Sequence, residues 1–183
     1  MARTLQVQDS IDVAAEPMVL YRQIADPSQM GRWSPENTGA SVPHPGTPAT
    51  VGTTFVGRNR RGGTRWVTSC TVTEAVPGER FAFDVTAIGP RRPLLKGNIA
   101  TWTYTFEPVD GGTLVTERWT DRRTRWPDAL AARFDRVVTR GHLFADFQRG
   151  NIARTLAALR ADVGDAPPVQ PGEGTAGDDR RGV

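Results

Sequence analysis

The stretch WTYTFEPVDGGTLVTERW, Trp102 to Trp119, constrains the fold of this chain more than any other. Its β-branched and aromatic residues alternate on both sides of VDGG, the pattern of two strands joined by a tight turn. Asp110-Gly111 suits a two-residue turn of the primed type, whose twist matches that of the flanking strands. Directly opposed residues of an antiparallel pair project on the same face. This turn therefore sets Tyr104 opposite Glu117, Trp102 opposite Trp119 and Phe106 opposite Val115. Glu117 breaks the pattern. It shares a face with Val115 and Trp119, where an unmatched carboxylate costs several kcal/mol or shifts its pKa upward.

Two further turns extend that face. RGGT, centred on Gly62-Gly63, pairs Asn59 with Trp66 and Phe55 with Cys70, while VPGE pairs Val72 with Phe83 and Cys70 with Val85. One face then collects Phe55, Asn59, Trp66, Thr68, Cys70, Phe83, Trp102, Tyr104, Glu117 and Trp119. A one-residue bulge would move a strand's side chains to the other face. Such an apolar face must be buried against another element. Its polar members are an unusual set for a dry core, so either Glu117 is satisfied by a neighbour such as Tyr104 or an arginine, or the space is a wet cavity.

The remaining elements follow from periodicity and punctuation. TLQVQDSIDVAA reads as a first strand, and EPMVLYRQIAD as a helix with Pro17 in its first turn and Met18, Val19, Tyr21 and Ile24 apolar. DPSQMGRW reads as a second short helix ending near Gly31. Five more strands are expected: TTFVGRNR, TRWVTSCTVTEAV, ERFAFDVTAI, NIATWTYTFEPV and TLVTERWTD. From Pro127 to about Val163 the period turns helical, with Leu130, Phe134, Ala145, Ile152, Leu156 and Leu159 recurring at threes and fours and Gly141 marking a bend. The expected architecture is α+β: a curved antiparallel sheet of six to seven strands around a long C-terminal helix, with two short helices after the first strand. Residues 1–163 form one domain on this reading, and 164–183 a disordered Pro/Gly-rich tail.

Composition narrows the function classes. No apolar run approaches the roughly 18 residues of a membrane helix, so no membrane insertion is expected. The start of the chain lacks a signal-peptide pattern. A lone cysteine, Cys70, suits a reducing compartment, so a cytoplasmic location is expected. The net charge is +3, from 23 basic and 20 acidic residues. Arginines cluster in RNRRGGTR and DRRTR. They read as solvated strand ends, because no helix-turn-helix, zinc or RNA-binding signature accompanies them, and no specific nucleic-acid partner is expected. The chain has two histidines, His44 in a loop and His142 beside Gly141, too few for a histidine-rich metal site. Motifs for Ser-His-Asp triads, P-loops and dinucleotide binding are absent, so neither metal nor cofactor is expected. The oligomeric state is left open.

The element order, with MGRWSPEN after the first helix, GTTFVGRNRRG, WVTSCTVTEAVPGERFAFDV, WTYTFEPVDGGTLVTERW and the closing NIARTLAAL, resembles the SRPBCC superfamily. This is the START-like, helix-grip fold that includes polyketide cyclase/dehydrase-like proteins. The resemblance spans roughly residues 5 to 162. It implies a deep hydrophobic cavity between sheet and C-terminal helix, suited to lipids, polyketides or other flat apolar molecules. Trp33 and His142 join the strand residues above as candidate cavity positions. Glu117 and Tyr104 are the candidate chemical pair. As a carrier, the chain would use them to hold a hydroxyl or carbonyl of an apolar ligand. As a cofactor-independent polyketide cyclase or dehydratase, it would use Glu117 as acid or base and Tyr104, with Asn59, as donors to an enolate oxygen. An interaction or regulatory module is a third class.

Overall fold

The computed structural model describes residues 3–139 and 141–164. The expected tail lies, from residue 165 on, outside the described residues. The chain forms strands β1 (Gln6–Val13), β2 (Asn37–Ser41), β3 (Thr54–Arg61), β4 (Thr64–Val76), β5 (Arg80–Gly89), β6 (Leu95–Val109) and β7 (Gly112–Asp121). Helices α1 (Pro17–Ile24), α2 (Asp128–Val138) and α3 (Phe144–Val163) and a 3-10 helix, Pro27–Arg32, complete it. All seven strands form one antiparallel sheet in the order β1-β7-β6-β5-β4-β3-β2.

Alternation along β7 decides which face is covered. Thr113, Val115, Glu117, Trp119 and Asp121 are buried, while the residues between them are half-buried. The covered face packs against α3 through Ile152, Leu156, Leu159 and Val163, all at most 4% exposed. Burying each such aliphatic side chain contributes roughly 1.5–3 kcal/mol. On α1 it is Leu20, Tyr21 and Ile24 that turn inward, Tyr21 edge-on to Phe106, whereas Met18 and Val19 are exposed.

The register places Tyr104 opposite Glu117, Asn59 opposite Trp66 and Cys70 opposite Val85. The β4–β5 turn differs from the expected two-residue form. Val76 pairs with Arg80, leaving three residues in the turn, and an extra residue at Thr73 restores the register so that Val72 still faces Phe83. Strand β2 was not legible in NTGAS: it is short, polar and bulged against β3 between Asn37 and Ala40. It is held by close approach, since a Cβ on Gly31 would lie 2.8 Å from the Gly39 amide nitrogen.

The C-terminal helix expected from Pro127 to Val163 is two helices. Gly141 has φ +109°, a left-handed conformation that glycine adopts without strain. The Thr139 hydroxyl bonds back to the Asp135 carbonyl at 2.7 Å and also reaches the His142 carbonyl. Leu130 and Val137, on the outer face of α2, are 55% and 74% exposed, so Leu130 does not join the core its spacing suggested. What fixes α2 is charge. Arg123 is buried between Asp121 at the end of β7 (2.7 Å) and Asp135 of α2 (2.7 Å). Asp135 also accepts the Phe144 backbone N–H that opens α3, and the Arg123 guanidinium lies 4.7 Å from the Phe144 ring centroid.

Removing the cation would leave Asp135 buried without a counter-charge and Asp121 with only the more distant Arg3, at 3.6 Å. Arg123→Ala should therefore cost about 3–5 kcal/mol and lower Tm by roughly 6–20 °C. Urea denaturation followed by far-ultraviolet circular dichroism would check this, and a variant as stable as the wild type would contradict it.

Candidate functional site

Sheet and α3 cover each other without filling the space between them. A cavity of about 510 Å³ remains. The sheet supplies Phe55, Asn59, Trp66, Thr68 and Cys70 from β3 and β4, and Phe83, Trp102, Tyr104, Glu117 and Trp119 from β5 to β7. Trp33 closes one side and is oriented by its indole N–H donating to Asp162 of α3 at 2.8 Å. His142 is elsewhere: it is exposed in the link between α2 and α3 and does not border the cavity.

At the β6–β7 wall the Tyr104 hydroxyl donates to Glu117 Oε1 at 2.8 Å. Glu117 is 2% exposed. Its other oxygen, Oε2, has no hydrogen-bond partner, and among the described residues it is the one buried side-chain oxygen so placed. No ion pair among the described residues involves Glu117. Burial pushes the carboxyl up to about 8, although the bond from Tyr104 pulls the other way. The acid is therefore mostly protonated at neutral pH. With Oε1 accepting from Tyr104, its proton belongs on Oε2. Burial, the Glu117 charge and the bond to Glu117 raise Tyr104 well above its ordinary value, so the phenol stays a donor. Cys70, pushed up to about 12 chiefly by burial, is a neutral thiol resting on Thr68.

A second polar group borders the cavity between β3 and α3. Arg61 pairs with Glu36 (2.5 Å), Asn151 donates to the other Glu36 oxygen (2.9 Å), and Arg154 donates to Asn151 (2.7 Å). Arg61 also stacks over Phe147 at 3.7 Å. Sequence reading took Arg61 for a solvated strand end and missed this group. Two signals were available. Arg61 has the strand parity of Phe55 and Asn59, and Gln148, Asn151 and Thr155 recur at helical spacing beside Ile152 and Leu156. None of this group's atoms is among the buried side-chain atoms left without a hydrogen-bond partner, whereas Glu117 Oε2 is, so the Tyr104–Glu117 pair is where a ligand has a buried group to satisfy. No group of His, Cys, Asp and Glu among the described residues is arranged to hold a metal ion.

Residues 4–164 match the family model described as "Polyketide cyclase / dehydrase and lipid transport". The chain belongs to that family. Solved structures with the same fold include a Chromobacterium violaceum protein at 19% identity, covering 89% of this chain and 100% of that one with a TM-score of 0.62. A START superfamily protein from Mycobacterium smegmatis, at 12% identity, covers 87% and 97% with a TM-score of 0.61. A Polyketide_cyc-like protein from Corynebacterium glutamicum, at 27% identity, covers 87% and 91% with a TM-score of 0.54. A search of curated proteins returns no match. The fold is thus the START-like helix-grip: a curled seven-stranded antiparallel sheet closed by a C-terminal helix. Family and fold are consistent with hydrophobic ligand binding or a polyketide cyclase-like role.

The electrostatics of Glu117 give a signed test. The unfolded carboxyl ionises near its ordinary 4.5, the folded one near 8. Between those values the folded state holds more protons, so stability falls as pH rises through the window and levels off above it. Glu117→Gln removes this titration. The variant should gain on the wild type progressively from pH 5 to pH 8, by a few kcal/mol in all. Parallel stability curves across that range would show an ordinary, solvated carboxylate.

Proposed function

We propose that the protein binds an apolar small molecule, lipid or polyketide-like, that carries a carbonyl or similar acceptor oxygen. The observation that carries this reading is the buried, unpartnered Glu117 Oε2 in the wall of a largely apolar cavity. A protonated carboxyl there is a hydrogen-bond donor, and a buried donor without an acceptor costs about 1–3 kcal/mol. A ligand carbonyl removes that cost, while the indole, phenyl and aliphatic walls take up its carbon skeleton. The cavity volume falls within the range of small-molecule sites, roughly 300–1,000 Å³.

The same observation favours a second reading, a cofactor-independent dehydratase or aldol cyclase. An acid near neutrality, hydrogen-bonded to a phenol, is suited to protonate a departing hydroxyl or a developing enolate oxygen. In this reading Glu117 acts first as the acid, since it enters the reaction protonated at neutral pH.

An environment-sensitive naphthyl ketone and the corresponding naphthalene without the carbonyl separate the contributions. The ketone should bind more tightly below pH 8 than above it, and the hydrocarbon should show no such dependence. Glu117→Gln keeps a donor and should abolish the pH dependence. Glu117→Leu should weaken the ketone by about tenfold, the value of one hydrogen bond, and leave the hydrocarbon unchanged. Equal loss of both probes in Glu117→Leu, or pH-independent ketone binding by the wild type, would overturn the assignment. Mass spectrometry of ligand retained through purification would supply the natural skeleton.

A further inference from the structure

One end of the sheet differs from the other. Antiparallel order brings the β3–β4 tip, the β5–β6 connection and the exit of β7 to the same end. Val67 of β4 pairs with Gly89 of β5 there, and the Arg122 N–H donates to the Ile99 carbonyl at the start of β6. The cavity opens at this end, since Val137 of α2 and Thr64 of the β3–β4 tip border it and are themselves exposed.

At this end stand the three most exposed large apolar side chains of the described residues: Val137 at 74%, which borders the cavity, and Leu94 at 73% and Leu95 at 68% in the β5–β6 connection and the start of β6. Leu130 of α2 (55%) and Trp126 just before it (38%) are exposed as well. Exposed single leucines are ordinary, but a cluster rimmed by charge is not. The charge here is mostly of one sign. Residues 58–66 and 88–99 contain no acidic residue. Arg60 and Arg65 are exposed on the first segment, and Arg91, Arg92 and Lys96 on the second. Beyond β7, Arg122, Arg125, Arg133 and Arg136 are exposed, while Asp121 and Asp135 are buried against Arg123, leaving Asp128 as the exposed acid. For a chain whose net charge is only +3, this is a strong concentration.

We propose that this end docks on the surface of an anionic lipid bilayer, with Leu94, Leu95 and the outer face of α2 entering the headgroup layer and the cavity mouth turned to the lipid. Apolar side chains flanked by arginines are what such an interface binds, through buried apolar area and attraction to anionic headgroups together. Arginines alone would serve a nucleic acid equally well. The two leucines between Arg92 and Lys96 separate the cases, because a phosphate backbone offers them nothing. Docking of this kind involves no spanning segment, and no helix of the described residues is long and apolar enough to cross a membrane. The inference goes beyond ligand binding in the cavity and does not depend on it.

The test is co-sedimentation of the full chain with vesicles of phosphatidylcholine alone, or with about a third phosphatidylglycerol, at low and high salt, alongside mobility shift with duplex DNA. Binding is expected to the anionic vesicles only, weakened by salt, and accompanied by a blue shift of tryptophan emission. Leu94→Glu/Leu95→Glu and Arg91→Glu/Arg92→Glu should each lower vesicle affinity by at least about tenfold while circular dichroism stays unchanged. Absence of binding to anionic vesicles would overturn the proposal. So would vesicle binding that the leucine variant leaves intact, or DNA binding that exceeds vesicle binding at the same salt.

Discussion

One pairing across the β6–β7 hairpin organises the rest of the molecule. Because Val109 and Gly112 close a two-residue turn, Tyr104 lies opposite Glu117 on the covered face of the sheet. The hairpin thereby buries a carboxyl and supplies it with one hydrogen bond of the two its oxygens need. Ionisation in that position is costly, so the group stays protonated at neutral pH and becomes a donor. The cavity's chemistry follows from this: largely apolar walls, an internally hydrogen-bonded polar cluster near α3, and a buried donor at Glu117 with no acceptor in the protein.

The polar groups away from this pair are structural. The Asp121–Arg123–Asp135 set holds α2 against the exit of β7 and opens α3 through the Phe144 amide. It positions Phe134 and Phe144, both of which border the cavity. Asp26 plays a similar part elsewhere, accepting from the Ser28 amide of the 3-10 helix and the Gly46 amide of the loop before β3. Asp121, Asp135 and Asp26 are three buried acids whose oxygens all have partners, which is why they read as scaffold while Glu117 does not.

How much was legible in the sequence depended on the kind of signal. Strand parity around Asp110-Gly111 and Gly62-Gly63 carried the wall positions on β3, β4, β6 and β7, because a two-residue turn leaves no freedom in the register. At VPGE the expected turn was one residue too short, and the face survived because Thr73 adds a compensating bulge. Nothing in local sequence announces such a compensation. Strand β2 is set by tertiary contact with the 3-10 helix rather than by propensity. The α2–α3 break was visible at Gly141, but its completeness rests on Thr139 and the Arg123 cluster, contacts distant from any periodicity. Arg61 was misread because a strand-end arginine looks solvated until the facing helix is in place.

The central claim is that Glu117 is a neutral donor at physiological pH. A titration of its side-chain carboxyl carbon by NMR, with the resonance assigned through Glu117→Gln, measures this directly. The account predicts a midpoint near 8 in the ligand-free protein. A midpoint in the ordinary carboxylate range, close to 4.5, would contradict it.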